Sequence, residues 1–205
     1  IKDRRNLVVR DVASGNEVSL LTEDDLFHMR DGVKYFTWSP DSKWLLVDWS
    51  KLLNNSEVLL MAADGSQRIN LTESGYYDSS PKWVNDGKQM IWFSNRDGLK
   101  SLATSGGSQS DVYSMFFTQE AYDKFKMSKE DYELMQEIEK ETKKDEPKEE
   151  EDDKKKKKEE PKKEESKDLK FDWDGMKERK ERLTIHSSSL GDAVLSKDGE
   201  KLYYL

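Results

Sequence analysis

The sequence predicts an all-β fold: part of a β-propeller built from four-stranded antiparallel blades and interrupted by a charged, partly helical or disordered insertion. A strand-turn-strand unit occurs three times, and a second hairpin unit occurs twice with a remnant of a third copy. Two hairpins make four strands in roughly 40 to 50 residues, which is the size of one propeller blade. One interval between copies is much longer than the other, and this predicts the insertion.

The first repeated unit is a short hairpin with aromatic strands. Its copies read TWSPDSKWLLV (37–47), KWVNDGKQMIW (82–92) and VLSKDGEKLYY (194–204). The aligned columns hold Trp38, Trp83 and Leu195, then Asp41, Asp86 and Asp198, then Ser42, Gly87 and Gly199. Apolar, aromatic and β-branched residues alternate on either side of a turn, which favours strands and excludes a solenoid of helices.

The second repeated unit lies between the hairpins and supports the same register. LVVRDVASGNEVSLLT (7–22) superposes without gaps on EVLLMAADGSQRINLT (57–72), so that Gly15 lies over Gly65. Each glycine is expected to take the positive φ that its turn requires. The end of a third copy survives at 182–184. The spacing from Thr72 to Thr184 and that from Trp83 to Leu195 are both 112 residues, so the two registers agree.

These repeats divide the chain into four parts. Residues 1–32 are the end of a blade and a crossover, 33–79 a full blade, 80–189 a full blade that carries the insertion at about 118–170, and 190–205 the start of the next blade. The strands of the first full blade are predicted at 33–39, 43–49, 56–62 and 68–72, and those of the second at 80–83, 89–94, 111–117 and 181–185. We expect Trp83 to be buried between blades. We also expect a piece that begins and ends inside blades to show marginal stability, aggregation or self-association in isolation.

The insertion begins as a helix and continues as a charged tract. Ser128 is a plausible N-cap with Asp131 at the capping-box position, and Tyr132, Met135 and Ile138 form a narrow apolar stripe. Residues 141–170 then carry 13 acidic and 12 basic residues and two prolines. Such a segment cannot bury enough apolar surface to offset its ordering entropy. We interpret it as a solvated appendage of the second full blade (80–189). It is either a tolerated surface insertion or a partner-docking segment.

Composition narrows the possible partners. The net charge of −8 argues against a duplex nucleic acid or an anionic membrane. Because cysteine is absent, disulfides and thiolate metal sites are excluded. No apolar run approaches the roughly 18 residues of a membrane span.

The polar clusters do not predict an active site, a cofactor site or a metal site. His186 precedes Ser187, Ser188 and Ser189, but adjacent residues on a strand point to opposite faces and no third group orients them. The carboxylates of Asp172, Asp174 and Asp192 lack EF-hand spacing and are expected to cap backbone donors. His28 stands alone. Arg96, in the turn 95–98, is expected to pair with carboxylates or carbonyls of a neighbouring blade rather than with a ligand.

A family resemblance follows from these motifs. WSPDSKWLLV (38–47) and FSNRDG (93–98) resemble the propeller repeats of TolB and of tricorn-type proteases, while the Gly-His and Trp-Asp pairs of WD repeats are absent. The segment 171–205 (FDWDGMKERKERLTIHSSSLGDAVLSKDGEKLYYL) resembles the amino-terminal propeller of bacterial tricorn protease homologues. These homologues are serine peptidases with a PDZ domain and a catalytic domain of the carboxy-terminal-processing type. The resemblance covers most of the chain outside the insertion.

The resemblance implies a non-catalytic segment of an oligomeric, cytoplasmic serine peptidase. In that family the propeller filters or guides peptides and unfolded proteins toward a catalytic domain, whose serine, histidine and acidic residues would lie outside these 205 positions. Two alternatives remain open. One is a TolB-like, periplasmic protein-binding propeller without enzymatic activity. The other is the propeller of a prolyl-oligopeptidase-type enzyme, which would be accompanied by an α/β-hydrolase domain with a Gly-x-Ser-x-Gly elbow.

Overall fold

The computed structural model describes residues 1–27, 35–53, 55–101, 103, 107–145, 168–197 and 199–205. Within these residues the chain forms mostly β-strands, with two α-helices. The elements are β1 (Leu7–Arg10), β2 (Glu17–Leu21), β3 (Phe36–Trp38), β4 (Trp44–Trp49), β5 (Glu57–Ala62), β6 (Arg68–Asn70), β7 (Asp78–Val84), β8 (Gln89–Ser94), β9 (Asp111–Phe116), α1 (Gln119–Lys126), α2 (Lys129–Asp145), β10 (Lys180–Arg182), β11 (Ala193–Leu195) and β12 (Leu202–Tyr204).

The strands form two complete four-stranded sheets and two hairpins. The first sheet has the order β3-β4-β5-β6 and the second β7-β8-β9-β10, while β1 pairs with β2 and β11 pairs with β12. Every pairing is antiparallel and joins strands that are consecutive in the chain. Four strands in meander order make one propeller blade. The predicted fold class is therefore confirmed.

The first sheet is buried on both faces because its central strands alternate apolar residues on either side. Leu46 and Leu60 face the second sheet, where they pack with Met90 and Trp92. The neighbouring positions on the same strands turn to the other face and pack against the first hairpin. This second cluster contains Leu45, Val47, Leu59, Met61, Leu7, Leu20 and Leu21. A fully buried leucine stabilises the fold by about 1.5 to 3 kcal/mol, so these two interfaces hold the stack together.

The second sheet is likewise covered on both faces. Its far side presents Ile91 and Val112, which pack against Ala193, Leu195 and Leu202 of the last hairpin. The order of stacking is therefore the order of the chain: first hairpin, first sheet, second sheet, last hairpin. This is how consecutive blades of a propeller pack.

The turns of the first repeated unit share a left-handed residue at one position, although the second copy differs in that Asn85 and Asp86 also have positive φ, at 51° and 50°. Asp198 of the third copy lies outside the described residues. Ser42, Gly87 and Gly199 all have positive φ, at 59°, 84° and 77°. In the first and third copies a serine hydroxyl caps the turn in the same way, because Ser39 Oγ accepts from the backbone of Trp44 and Ser196 Oγ accepts from that of Lys201, both at 2.9 Å. The repeat read from the sequence is thus a repeat of structure.

The second unit is repeated in the contacts of its threonines. Thr72 Oγ1 donates to Glu57 at 2.5 Å and accepts from the backbone of Val58 at 3.0 Å. Thr184 makes the matching bonds with Asp111 and Val112, at 2.7 and 3.2 Å. The glycine column is also confirmed, since Gly15 and Gly65 have φ of 75° and 77°.

The copy at 7–22 departs from this pattern in its pairing. A bulge between Leu7 and Val8 shifts the register of β1 against β2, and Thr22 bonds with Asp25 in a 3₁₀ turn. The ungapped overlay therefore matches the turn glycine but not every strand pair.

Several strands are shorter than predicted. The first strand of the first sheet is Phe36–Trp38, so it omits residues 35 and 39 of the predicted 33–39, while 33 and 34 lie outside the described residues. The last strand of the second sheet is Lys180–Arg182 rather than 181–185. Both are edge strands, which keep ladder hydrogen bonds on one side only. In contrast β7 begins earlier than predicted, at Asp78. The blade boundaries at 32, 79 and 189 stay predictions.

The insertion separates β9 from β10, the third and fourth strands of the second sheet. The predicted helix is confirmed: α2 follows Ser128, whose hydroxyl donates to Asp131 at 2.8 Å and accepts from the Asp131 backbone at 3.1 Å. A helix that was not predicted, α1, precedes it, and its N-cap Thr118 accepts from the backbone of Ala121. Most of the charged tract, 146–167, lies outside the described residues. Among the helices described, none is long and apolar enough to cross a bilayer.

Candidate functional site at the hairpin ends

A cleft of about 360 Å³ opens where the turn after β7 meets the last hairpin. It is lined by residues 82–87 and Ile91 of the second copy, by 194–197 of the third copy and by Pro40 of the first. All three copies of the first repeated unit therefore contribute to it. We call it the hairpin cleft. Trp83, Val84, Ile91 and Leu195 make its surface largely apolar.

Trp83 is fixed between the two sheets at this cleft. Its indole Nε1 donates to the carbonyl oxygen of Thr37 at 3.2 Å, and its ring lies 5.2 Å from that of Phe117. The side chain is half-buried rather than buried as predicted, because one part of the indole lines the cleft. A tryptophan held in this way can offer an apolar face without losing further conformational entropy.

An ion pair fastens the last hairpin to β7 beside the cleft. Lys82 Nζ contacts the carboxylate of Asp192 and also donates to the carbonyl oxygen of Ala193 at 2.9 Å. The hydrogen bond from Lys82, together with one from the backbone of Ala193, lowers the pKa of Asp192. The carboxylate is therefore ionised at neutral pH and offsets the lysine charge.

The chain that returns from the insertion crosses the ends of both sheets. Leu169 donates its backbone N–H to Asp41 at 2.9 Å, and Asp168 pairs with Lys43 at 2.6 Å. A β-carbon added to Gly87 would lie 2.5 Å from Leu169 Cδ2, so this turn and the returning segment touch directly. Asp168 and Leu169, at the end of the charged tract, therefore contact the first repeated unit.

Aromatic rings also connect the returning segment to the two sheets. The ring of Phe171 lies 5.0 Å from that of Trp44 and 5.3 Å from that of Phe117, and it stacks on Trp173 at 4.9 Å. Trp44 belongs to the first sheet and Phe117 follows the last residue of β9. The returning segment thus joins the two sheets at the end where the hairpin cleft opens.

Arg179 anchors this segment and was not singled out in the sequence. Its side chain is buried, with the residue 4% exposed, and its guanidinium donates to the carbonyl oxygens of Phe116, Asp172 and Asp174. The planar fork of an arginine can satisfy several carbonyls at once. In the sequence the residue lies in the run KERKER, which is indistinguishable from exposed charge.

Arg96 pairs with a carboxylate, as predicted, but this carboxylate belongs to its own sheet and not to a neighbouring blade. It reaches both carboxylate oxygens of Asp78 on β7, at 3.1 and 3.2 Å, and lies 4.7 Å over the ring of Tyr113. Asp78 is fully buried and also accepts from Trp92 Nε1 at 3.1 Å. Burial, with a hydrogen bond to Asp97, raises the pKa of the Tyr113 phenol.

Ser187 and Ser188, which follow His186, form hydrogen bonds that stabilise the sheet. Ser187 donates to Asp111 at 2.7 Å, and Ser188 exchanges backbone hydrogen bonds with Ser110. Asp111 is fully buried, which by itself would raise its pKa, but hydrogen bonds from Thr184, Ser187 and Arg182 lower the pKa below its ordinary value. His186 is exposed at the surface. The structure therefore brings Ser187 to a buried carboxylate rather than to the imidazole.

The three candidate aspartates serve different parts of the fold. Asp172 accepts from the backbone of Gln119 at the start of α1, at 2.7 Å. Asp174 offers its carbonyl to Arg179, and Asp192 pairs with Lys82. Within the described ranges, no group of three histidine, aspartate or glutamate side chains could hold a metal ion. His28 lies outside the described residues.

The hairpin cleft is equipped for binding an extended segment. Its apolar surface can accommodate the side chains of a peptide, and Lys197 can donate to a peptide carbonyl, whereas Lys82 is already held by Asp192 and Ala193. Ser196 lines it as well, but the hydroxyl of this serine accepts from the backbone of Lys201 and caps the turn. Peptide hydrolysis needs a nucleophile in contact with a base.

Comparison with solved structures shows the fold. The chain superposes on the crystal structure of the tricorn protease with a TM-score of 0.55 and 11% sequence identity, over 94% of this chain and 16% of that one. A second match is the crystal structure of TolB from Acinetobacter baumannii, with a TM-score of 0.45 and 17% identity, over 96% of this chain and 31% of that one. The chain thus spans less than a third of either protein. No family model and no curated protein matches it.

Proposed function

We propose that the chain is a non-catalytic propeller segment of a tricorn-like serine peptidase, and that it guides peptides or unfolded proteins toward a catalytic domain elsewhere in the same polypeptide. The observation that carries the proposal is the shared fold, which extends over 94% of the chain. The motifs at 38–47, 93–98 and 171–205, which resemble tricorn-type repeats, support it from the sequence. A cytoplasmic, oligomeric parent enzyme belongs to the same proposal.

The hairpin cleft supplies the binding surface in this proposal. An unfolded polypeptide exposes apolar side chains in an extended backbone. These can pack on Trp83 and Leu195, while Lys197 donates to a backbone carbonyl of the polypeptide. Such contacts would hold a substrate without cleaving it. Chemistry is assigned to residues outside these 205 positions.

The test uses the full-length protein and two substrates: a labelled unfolded protein and a short chromogenic peptide. Val194 is exposed and lines the cleft, so Val194→Glu should lower kcat/KM for the unfolded protein by about tenfold, as expected for the loss of one or two apolar contacts. The short peptide, which needs no guidance, should be cleaved at the normal rate. Ile185→Glu is the matched control, because Ile185 is exposed and apolar but lies outside the cleft.

Three results would contradict the proposal. They are equal effects of the two variants, equal losses on both substrates, and peptide hydrolysis by the 205-residue chain alone. A full-length polypeptide without a peptidase domain would point to a binding propeller instead.

A further inference from the structure

The second helix of the insertion presents apolar side chains to solvent. Leu134 and Ile138 of α2 are 56% and 55% exposed. They are four residues apart, so they lie on the same face of the helix. Tyr132 and Met135, which the sequence grouped with Ile138 in one stripe, are half-buried instead. Leu134 and Ile138 are therefore the more exposed apolar side chains of α2.

The start of α2 is held firmly by α1. The ring of Phe116 on β9 contacts those of Tyr122 and Phe125 at 5.6 and 4.8 Å, and Lys126 pairs with Glu181 at 2.9 Å. Two residues later Ser128 caps α2. Among the described residues, α2 has no contact with a strand as extensive as that between α1 and β9. The helix is thus attached to the second sheet through α1, at its beginning.

Acidic residues follow the exposed leucine and isoleucine along one side. Glu130, Glu133 and Glu137 recur at intervals of three and four, which places them in a row on the helix next to Leu134 and Ile138. From 129 to 138 there are four acidic residues and one basic residue. That basic residue, Lys129, lies 3.7 Å from Glu133 at the beginning of the row. The exposed apolar edge therefore has a negative border.

We propose that α2 is a docking helix, and that its Leu134–Ile138 edge enters an apolar groove rimmed by lysine or arginine side chains on a partner protein. Helix-in-groove recognition uses apolar residues at this spacing as anchors, and a basic rim would complement the glutamate row. A second copy of the chain is a poorer occupant, because it would place two glutamate rows side by side. An anionic membrane is disfavoured by the same charges. The partner concerned is distinct from the substrate of the proposed function.

The test presents that chemistry to the whole 205-residue chain. Two designed helical hairpins share a leucine-lined groove, but one has lysine rims and the other glutamate rims. Binding is followed by fluorescence anisotropy at low and at moderate salt. The lysine-rimmed hairpin should bind, and its affinity should fall as the salt concentration rises. The glutamate-rimmed hairpin should not bind.

The variants separate the apolar edge from overall charge. Leu134→Gln with Ile138→Gln should weaken binding of the lysine-rimmed hairpin by at least about tenfold, since both anchors are lost. Glutamine preserves helix propensity, and circular dichroism checks the helix content. The control is Leu52→Gln with Leu53→Gln, an exposed pair outside the insertion, and it should bind like the wild type. Both variants keep the charge of the chain.

Three outcomes would overturn the proposal. The first is unchanged binding by the α2 variant, and the second is equal binding of the two hairpins. The third is sedimentation of the wild-type chain as a dimer and of the α2 variant as a monomer, because the helix would then bind a second copy of the chain.

Discussion

At the scale of single residues, buried charges tie the ends of the outer strands into the sheets. Glu57 and Asp111 stand at the start of the third strand of each sheet, and each accepts a hydrogen bond from the threonine that follows the fourth strand. Each threonine oxygen in turn accepts a backbone N–H. An unpaired buried carboxylate would be strongly destabilising, so these contacts fix the outer strands in place.

The Asp111 carboxylate makes the free energy of unfolding depend on pH. Its folded pKa lies below the ordinary value of 3.8, so its contribution is complete above that value and is lost as the pH falls through the lower folded pKa. At about pH 6, Asp111→Asn should lower the free energy of unfolding by about 2 to 3 kcal/mol, because charge-assisted hydrogen bonds are lost. The difference should shrink toward about pH 3.

Urea unfolding at both pH values measures this difference. Asp24→Asn removes an exposed carboxylate and serves as the control, with a curve close to that of the wild type. Parallel pH profiles for the wild type and Asp111→Asn would show that Arg182, Thr184 and Ser187 do not stabilise the charged form.

At the scale of elements, the hairpin turn has a second role in one of its copies. Gly87 and Gly199 occupy the same column and both have positive φ. A side chain at Gly199 would meet nothing within 4 Å, whereas one at Gly87 would meet Leu169 and Pro40. Gly199 is required only for its positive φ. Gly87 is required for its positive φ and also because a side chain there would collide with the segment that returns from the insertion.

These two glycines form a matched pair for mutation. Gly199→Ala should lower the free energy of unfolding by about 1 to 2 kcal/mol, because a left-handed backbone conformation is unfavourable for an L-residue with a β-carbon. Gly87→Ala should lower the free energy of unfolding by up to about 1 kcal/mol more, because the end of the Leu169 side chain must rotate away. In the double variant with Leu169→Ala the added cost should disappear, which a double-mutant cycle in urea can measure. Equal costs for the two glycine variants would mean that the returning segment does not rest on the turn.

At the scale of the whole molecule, stability comes from stacking sheets in the order of the chain. Each complete sheet buries both faces, one against the preceding element and one against the following element. Trp83 lies at the contact between the two complete sheets. The expected self-association of the chain stays a prediction.

The contribution of stacking can be compared with that of the charged tract. Trp83→Ala should lower the free energy of unfolding by about 2 to 4 kcal/mol, somewhat less than for a fully buried tryptophan. Trp38→Ala, in the same column but exposed, should cost clearly less. Replacing 146–167 by a glycine-serine linker of equal length should change the free energy of unfolding by about 0.5 kcal/mol or less. A large loss from the linker variant would place the tract in the core.

The sequence alone determined the repeat, the strand-turn-strand units and the place of the insertion. Those features follow from local rules: alternation sets the faces of a strand, and a turn of given type needs Gly, Asn, Asp or Ser at fixed positions. The left-handed column of Ser42, Gly87 and Gly199 and the helix start at Ser128 could therefore be predicted. The cap of α1 at Thr118 uses the same local chemistry, but it was missed because the strand pattern runs directly into it.

Only the tertiary structure decided which distant groups meet. Leu169 bonds with Asp41 across more than 120 positions, Arg179 collects carbonyls from two segments, and Arg96 selects Asp78 in its own sheet. Nothing local marks these residues, because a charge that will be buried and a charge that will stay in solvent look alike in a sequence rich in lysine and glutamate. Their partners are set by the stacking of the sheets, which brings together residues that the chain keeps far apart.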